Sequence, residues 1–183
     1  TPDSGTSTAS RQTAFTGEAL RRAALKLKPD YDEFTLSQLE GAEYYSEFCY
    51  STDPITSDKG NPVSHLAYSY SAQVAELDEN GKVKLITAAC DAGTVINRQA
   101  SEGQIEGGVI MGMGYALTEN FKSENGYVKS KYGTLGLIRA TDAPDVKVIT
   151  VTGPGKLPTS YGAKGVGELC TIATAPAIAN AYT

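Results

Sequence analysis

The sequence predicts an α+β fold, a mixed β-sheet covered by helices. Two strand-like segments, 67–77 and 83–91, flank the pair Asn80-Gly81, which is a strong signal for a β-hairpin. Two other segments, 17–27 and 101–120, space their apolar residues at the helical interval. Further strands at 42–51 and 146–152 and a third helix near residue 171 complete the predicted elements.

The N-terminal part is predicted to be a loop followed by a helix. The first ten residues are rich in Thr, Ser, Gly and Pro, which favours a loop. Thr16 is a candidate N-cap for the helix that follows, and Pro29 is expected to end it after about three turns. Its apolar face is formed by Leu20, Ala23, Ala24 and Leu27.

The central part begins with an aromatic segment, 42–51, which is predicted to be a strand. A loop over 53–64 follows, because Pro and Gly residues interrupt it. The 101–120 helix then contains five glycines, at positions 103, 107, 108, 112 and 114. Each interior glycine costs up to roughly 1 kcal/mol relative to alanine. Two explanations stay open: close packing of this helix on another backbone, or approach of backbone N–H groups to an anionic ligand.

The C-terminal part is predicted to contain a strand and a helix. Segment 132–141 is compatible with either helix or strand, and 146–152 is predicted to be a strand. In the last helix, Thr171 or Thr174 is a candidate N-cap, and Pro176 suits a first turn.

Composition places limits on the type of protein. The 183 residues, 40% hydrophobic and 20% charged, suffice for one sizeable core, as a single domain or two closely packed layers. No apolar run approaches transmembrane length and no signal peptide is recognisable, so we expect a soluble, cytoplasmic protein. The net charge of −5, without clusters of Lys or Arg, argues against nucleic acid as a partner.

Cysteine and histidine usage gives no metal site. Cys49, Cys90 and Cys170 form no C-x-x-C pair, so each is expected to be a reduced thiol, buried or half-buried. Cys170 lies two residues past Glu168 and is a candidate to line the same pocket. His65 is the only histidine, which excludes sites built on histidine pairs, and no G-x-S-x-G motif supports a catalytic triad. We therefore expect His65 to be structural.

The most informative segment is 161–168, where three glycines precede a single carboxylate, Glu168. Glycines at 162, 165 and 167 allow positive φ and close approach of the backbone to a ligand. The alternative is that Glu168 only stabilises the N-terminal end of the following helix. From these residues alone both explanations stay open.

Three segments, in the same order as in the family, resemble the xanthine dehydrogenase and aldehyde oxidoreductase family of molybdenum hydroxylases. Gly165-Val166-Gly167-Glu168-Leu169 is similar to the active-site loop of that family. Segments 102–108 and 111–117, which read EGQIEGG and MGMGYAL, resemble its Gly-Gln-x-Glu-Gly segment and Gly-rich helix. Segment 8–13 with Thr16-Gly17 resembles the loop and helix start beneath the cofactor. The resemblance spans nearly the whole chain.

The resemblance implies a molybdopterin cofactor, with Glu168 as the catalytic base. In this family the pterin dithiolene holds the molybdenum, so no protein metal ligand is expected. Gln104 carries both a donor and an acceptor, which suits the edge of a pterin, and Arg11 would pair either with a cofactor phosphate or with another protein group. The implied cofactor contacts are Thr8, Ala9, Ser10, Arg11, Gln104, Gly165 and Gly167.

The resemblance also implies the reaction and the partners. Residues 1–183 are expected to be the C-terminal portion of a molybdopterin-binding domain. The other half of that domain, iron–sulfur clusters and FAD are expected on other domains or subunits, and the isolated fragment is expected to be inactive. The implied reaction is hydroxylation with water-derived oxygen. Segment 169–172 (LCTI) favours a purine such as xanthine, with an aldehyde as the alternative. A noncatalytic cofactor-binding or assembly domain is the other alternative.

Overall fold

The computed structural model describes residues 3–8, 10–54, 56–151, 157 and 159–183. The chain divides into two compact units. The first is formed by Thr1–Tyr68 and Pro154–Gly165, and the second by Ser69–Gly153 and Val166–Thr183.

The described residues form three α-helices and five strands. The helices are α1 (Gln12–Glu33), α2 (Arg98–Leu117) and α3 (Leu169–Ala181). The strands are β1 (Ser71–Leu77), β2 (Val83–Asp91), β3 (Ser123–Glu124), β4 (Tyr127–Val128) and β5 (Asp145–Val151). The first unit contains α1, and the second contains α2, α3 and all five strands.

The second unit is built on a three-stranded sheet in the order β1-β2-β5. Strand β1 is antiparallel to β2, whereas β5 is parallel to β2. The turn between β1 and β2 contains Gly81 at a φ of 76°. The predicted α+β fold, mixed sheet and Asn80-Gly81 hairpin are therefore confirmed.

The core of the second unit lies between one face of this sheet and the helices α2 and α3. Alternate residues of β2 point into it, and in α2 the buried residues recur every four positions. The alternating buried residues of β2 therefore pack against the buried stripe of α2, as the apolar pattern of each element requires. The buried core residues include Ile86, Ala88, Cys90, Ile105, Val109, Met113, Cys170 and Ile178.

The predicted strand at 42–51 is wrong, because this segment contains no regular secondary structure. Lys26 Nζ donates to the carbonyl oxygen of Tyr45 at 2.7 Å, and Arg22 Nη1 donates to that of Glu47 at 3.4 Å. Side chains of α1 thus satisfy carbonyl groups that a neighbouring strand would otherwise bind. The aromatic segment 42–51 is thus irregular and is hydrogen-bonded to side chains of α1.

Helix α1 is longer than predicted at both ends. It begins at Gln12, so Thr16 lies inside the helix and is not its N-cap. Pro29 also lies inside, and the helix continues to Glu33. The last turn is closed beyond the proline, where Phe34 N–H donates to the carbonyl oxygen of Asp30 at 2.8 Å. Pro29 removes one N–H donor without ending the helix.

The predicted caps of the last helix are also wrong. The residue at the N-cap of α3 is Glu168, and Pro176 lies in the helix interior. The hydroxyl of Thr171 donates to the carbonyl oxygen of Gly108 at 3.1 Å. The hydroxyl of Thr174 donates to that of Cys170 at 2.8 Å. Thr171 therefore connects α3 to α2, whereas Thr174 forms a hydrogen bond within α3.

The remaining differences concern short elements. Segment 132–141 is neither a helix nor a strand, but carries two single 3₁₀ turns, at Tyr132–Thr134 and Ala140–Asp142. The small β3–β4 hairpin was not predicted, although Asn125 and Gly126 both have positive φ, 52° and 80°. The strand predicted over 67–77 begins at Ser71. Residue 152, the last residue of the strand predicted over 146–152, is outside the described residues.

Across the described ranges, no helix combines the length and the apolar character needed to cross a lipid bilayer.

Candidate functional site

The Gly-rich segment changes its backbone conformation twice before α3 begins. Ser160, Tyr161 and Gly162 have successive positive φ values of 47°, 56° and 86°, and Gly167 has a φ of 46°. Glycine adopts a positive φ at little cost, whereas a positive φ is unfavourable for serine and tyrosine. The expected use of glycine at 162 and 167 is therefore present, and the two neighbouring non-glycine residues were not anticipated.

Glu168 stands at the N-terminal end of α3. Its backbone occupies the N-cap position, but its side chain makes no capping hydrogen bond. The side chain is exposed. A negative charge is favourable at this end of a helix, so the position of Glu168 also agrees with the alternative that its charge stabilises α3, although it makes no capping hydrogen bond.

Gln104 contacts the segment that carries Glu168. Its Nε2 donates to the carbonyl oxygen of Gly167 at 2.8 Å. Gln104 lies in the first turns of α2, whose N-cap residue Asn97 accepts a hydrogen bond from Ala100 N–H at 3.0 Å. The structure thus brings together three of the predicted site residues, Gln104, Gly167 and Glu168.

The glycines of α2 fall into two groups. A Cβ at Gly112 would lie 2.6 Å from the carbonyl oxygen of Thr171, and one at Gly108 would lie 3.5 Å from Cys170 Cβ. A Cβ at Gly103 or Gly107 would meet nothing within 4 Å. Close packing therefore accounts for Gly112, whereas Gly103 and Gly107 leave backbone open beside Gln104. Close packing thus explains part of the glycine content, and a ligand at Gly103 and Gly107 stays a prediction.

The predicted N-terminal cofactor contacts lie in the first unit, immediately before α1. Arg11 N–H donates to the carbonyl oxygen of Thr8 at 3.1 Å, and Ser10 between them has a φ of 52°. The guanidinium of Arg11 lies 5.8 Å from the centre of the Phe15 ring. Ala9 is outside the described residues. Gly165 also belongs to the first unit.

The cysteines differ from the expectation in two respects. Cys49 is exposed rather than buried. Cys170 is a core residue whose sulfur is adjacent to that of Cys90, so it does not line a pocket with Glu168. The two Cα atoms are 7.3 Å apart, wider than the range of about 4.4–6.8 Å typical of disulfides. Cys90 and Cys170 are thus two buried side chains in contact.

Within the described part of the chain, the contacts of His65 are local, in agreement with a structural role. Its Nδ1 lies 2.8 Å from Ser64 Oγ. Its ring lies edge-on to Tyr68, with 5.8 Å between the ring centres.

The sequence analysis missed one buried carboxylate, Glu18. Only 1% of its surface is exposed, and it accepts hydrogen bonds from Arg21, Arg22 and the backbone N–H of Ser160. The hydrogen bond from Arg21 is the main reason that the pKa of Glu18 falls to about 2. The sequence does carry a signal, because arginines three and four residues after a glutamate meet it on one helix face.

Comparison with known proteins places the chain in a family. A family model described as "Molybdopterin cofactor-binding domain" matches residues 30–144, which leaves the Glu168 segment outside the matched range. A probable xanthine dehydrogenase subunit of Bacillus subtilis is 39% identical over 64% of this chain. The "Aldehyde oxidoreductase" of Megalodesulfovibrio gigas is 31% identical over 99% of it. The chain spans only 16% and 21% of the lengths of these two relatives.

A solved structure agrees with these sequence relatives. The aldehyde oxidoreductase from Desulfovibrio gigas aligns with 98% of this chain, at 29% identity and a TM-score of 0.75, and the aligned part is 21% of that protein. The matched family model covers more than half of the present sequence. The chain therefore belongs to the molybdopterin cofactor-binding domains, within the xanthine dehydrogenase and aldehyde oxidoreductase family of molybdenum enzymes.

Proposed function

We propose that this chain is the C-terminal portion of the molybdopterin-binding domain of a hydroxylase in which Glu168 is the general base. The observation that carries this proposal is the placement of Glu168. Its carboxylate is exposed, makes no capping bond, and directly follows Gly167, whose carbonyl oxygen is held by Gln104. A base must be both accessible and positioned, and this arrangement provides both.

The residues near Gly167 fit a large, polar cofactor. Gly103 and Gly107 leave open space where other residues would place a Cβ, so a ligand has access to the α2 backbone there. The amide of Gln104 is exposed between them, and only one of its donors is used on Gly167. A mixed donor and acceptor beside bare backbone suits a pterin better than a purely anionic group. When bound, molybdopterin supplies the redox chemistry of the reaction.

The proton transfer is the part of the reaction that we assign to this chain. Glu168 takes the proton of the water-derived nucleophile as that oxygen attacks the substrate carbon. A positioned general base contributes about 10²- to 10⁴-fold to a rate. The positive φ of Gly167 turns the backbone just before Glu168, and Gln104 fixes that turn through the Gly167 carbonyl group.

For the substrate we propose a purine such as xanthine, with an aldehyde as the second candidate. Similarity to a probable xanthine dehydrogenase subunit, at 39% identity, supports the purine. Similarity to an aldehyde oxidoreductase, over 99% of this chain, supports the aldehyde. The proposal for a purine also rests on the 169–172 segment, which resembles bacterial purine hydroxylases.

We further propose that the domain works within a larger cytoplasmic assembly. The outer face of the β1-β2-β5 sheet exposes Val74, Ile149 and Val151, which share one side of the sheet by their register. An exposed apolar sheet face of this kind favours coverage by another part of a protein. The remaining half of the molybdopterin-binding domain, iron–sulfur domains and an FAD domain are the partners that the family resemblance implies.

The test is the substitution Glu168→Gln in the full-length assembled protein, with Glu79→Gln as the control. Glu79 is an exposed carboxylate in the β1–β2 turn. We expect Glu168→Gln to keep its molybdenum and pterin content but to lose at least 10²-fold in kcat, while Glu79→Gln behaves as wild type. Assays with xanthine and with an aldehyde then identify the substrate class. If Glu168→Gln retains full turnover, the noncatalytic cofactor-binding or assembly domain replaces the present proposal.

A further inference from the structure

The turn formed by Ser160, Tyr161 and Gly162 is the most unusual piece of backbone in the first unit. All three residues have left-handed φ values. Gly162 N–H donates to the carbonyl oxygen of Thr159 at 2.8 Å, and Ala163 N–H donates to that of Ser160 at 3.0 Å. Left-handed turns that contain non-glycine residues are unfavourable on their own, and they persist only where their surroundings hold them.

Helix α1 supplies what holds this turn. Glu18 Oε2 accepts the backbone N–H of Ser160 at 2.7 Å, and Ser160 Oγ donates to the carbonyl oxygen of Ala14 at 2.9 Å. A Cβ at Gly17, between these two helix positions, would lie 3.8 Å from Ser160 Oγ. The turn is therefore seated on α1 by two buried hydrogen bonds, one of them to a carboxylate.

Glu18 is itself held by two arginines from the same helix. Arg21 Nη2 and Arg22 Nε each lie 2.8 Å from Glu18 Oε1, and Arg21 Nε lies 2.8 Å from Glu18 Oε2. The guanidinium of Arg21 also lies 5.5 Å from the centre of the Tyr161 ring, which is 70% exposed. Among the residues that the structure describes, the charged groups that face the Glu18 carboxylate are thus Arg21 and Arg22 on α1, and the turn adds the N–H of Ser160.

Glu18 and the 160–162 turn are each close in sequence to a segment that is predicted to contact the cofactor. Thr8–Arg11 leads directly into α1, seven residues before Glu18. Gly165 follows the turn after three residues, within the same unit. The hydrogen bond from Ser160 N–H to Glu18 therefore connects the elements to which these two segments are attached.

We propose that Glu18 is a positioning residue, which holds the left-handed 160–162 turn on α1 and so keeps Thr8, Ser10, Arg11 and Gly165 in the arrangement that binds the cofactor. This inference rests on the proposed function only in assigning those segments to the cofactor. Glu18 touches neither cofactor nor substrate in the proposal. Its effect passes through the backbone of Ser160.

The first measurement tests the anchoring in cofactor-free full-length protein. Hydrogen exchange of the amides of 160–163 is compared for wild type, Glu18→Gln and the control Asp32→Asn. Asp32 forms an exposed ion pair with Lys28 in the same helix, with Nζ and Oδ2 2.6 Å apart. We expect Glu18→Gln to raise exchange at 160–163 at least tenfold, and Asp32→Asn to leave it unchanged. Equal exchange in wild type and Glu18→Gln overturns the proposal.

The second measurement tests the consequence in the loaded, assembled protein. The release of pterin and molybdenum is followed after dilution, at a temperature where all variants retain their far-UV circular dichroism. We expect at least tenfold faster release from Glu18→Gln. Faster exchange without faster release would reduce Glu18 to a purely structural residue and overturn the positioning role.

A milder variant keeps the test valid if Glu18→Gln does not fold. Arg22→Gln removes one of the two arginines, and the Arg22 side chain is partly exposed. We expect a several-fold increase in cofactor release, and a wild-type release rate contradicts the proposal. The activity of Glu168→Gln tests the proposed function independently, because that variant leaves the Glu18 cluster unchanged.

Discussion

Each of the two compact units is stabilised internally by a different kind of interaction. In the second unit, apolar side chains from β2, α2 and α3 form a continuous buried core. In the first unit, the buried apolar side chains among the described residues are only Ala14 and Ala163, and the largest buried side chain is the carboxylate of Glu18. The first unit therefore depends on charged hydrogen bonds where the second depends on apolar area.

This difference has consequences for stability. Apolar burial contributes about 25 cal/mol per Å² and depends little on pH. A buried carboxylate stabilises only while it is ionised and paired, and removing its partners leaves an uncompensated charge. The two units should therefore respond to different perturbations.

The largest effect is expected from a cavity in the second unit. Ile105 is fully buried in the core, so Ile105→Ala should lower the free energy of unfolding by about 2–5 kcal/mol. Ile172 is 77% exposed, and Ile172→Ala should change it by less than about 0.5 kcal/mol. Denaturant titration of both variants measures the difference. Equal effects would show that the apolar core is not what holds the second unit.

Acid should act first on the first unit. The folded pKa of Glu18, about 2, lies below its ordinary value of 4.5. Its stabilisation, about 3 kcal/mol at about 1.4 kcal/mol per pKa unit, is thus present above pH 4.5 and lost as the pH falls towards 2. Between pH 5 and pH 2.5, the protection factors for hydrogen exchange, which compare the measured rate with the intrinsic rate at each pH, should fall in α1 and at 160–163 before they fall in β2. Simultaneous opening of both units would remove the contrast.

A close helix contact gives the next effect. Gly112→Ala would place a Cβ 2.6 Å from a backbone carbonyl oxygen of α3, and should cost about 1–3 kcal/mol by overpacking. Gly108→Ala is the matched control one turn earlier, where the nearest atom is at an ordinary 3.5 Å. Thermal unfolding compares the two variants. A tolerated Gly112→Ala would mean that α2 and α3 separate easily.

The smallest effect is expected at the open glycines of α2. Gly107→Ala meets nothing within 4 Å, and should stabilise the free protein by about 0.5–1 kcal/mol because alanine is the better helix former. If the cofactor uses this open backbone, the same variant should contain less molybdenum and pterin after purification. Unchanged cofactor content would assign Gly107 no part in binding.

The sequence was most informative where a local residue pair or a helical period determines the structure. The Asn80-Gly81 turn and the alternating residues of β2 specify the hairpin without help from distant residues. The four-residue spacing of Ile105, Val109 and Met113 similarly predicts the buried face of α2. The Asn125-Gly126 hairpin carried the same signal and was missed, although the pair requires positive φ just as the first does.

The remaining errors arise from contacts between residues far apart in sequence. The aromatic segment 42–51 has strand-like composition, yet Arg22 and Lys26 bind its carbonyl groups. Positive φ at Tyr161 has no local signature, because the turn is stabilised from α1 across 142 residues by Glu18. Of the candidate site, the Gly-rich segment and Gln104 were predictable from their residue types and from family resemblance. The contact that joins Gln104 to Gly167 required the fold.

The absence of a side chain at Gly112 also determines how closely α3 packs against α2. Thr171 and Thr174 rest against the bare backbone at this point, so α3 cannot shift along its axis without driving a side chain into that contact. Glu168 lies three residues before Thr171 at the start of α3, so its backbone position along α2 follows from the same contact. The close contact that glycine permits at position 112 thus helps to set the position of the proposed base.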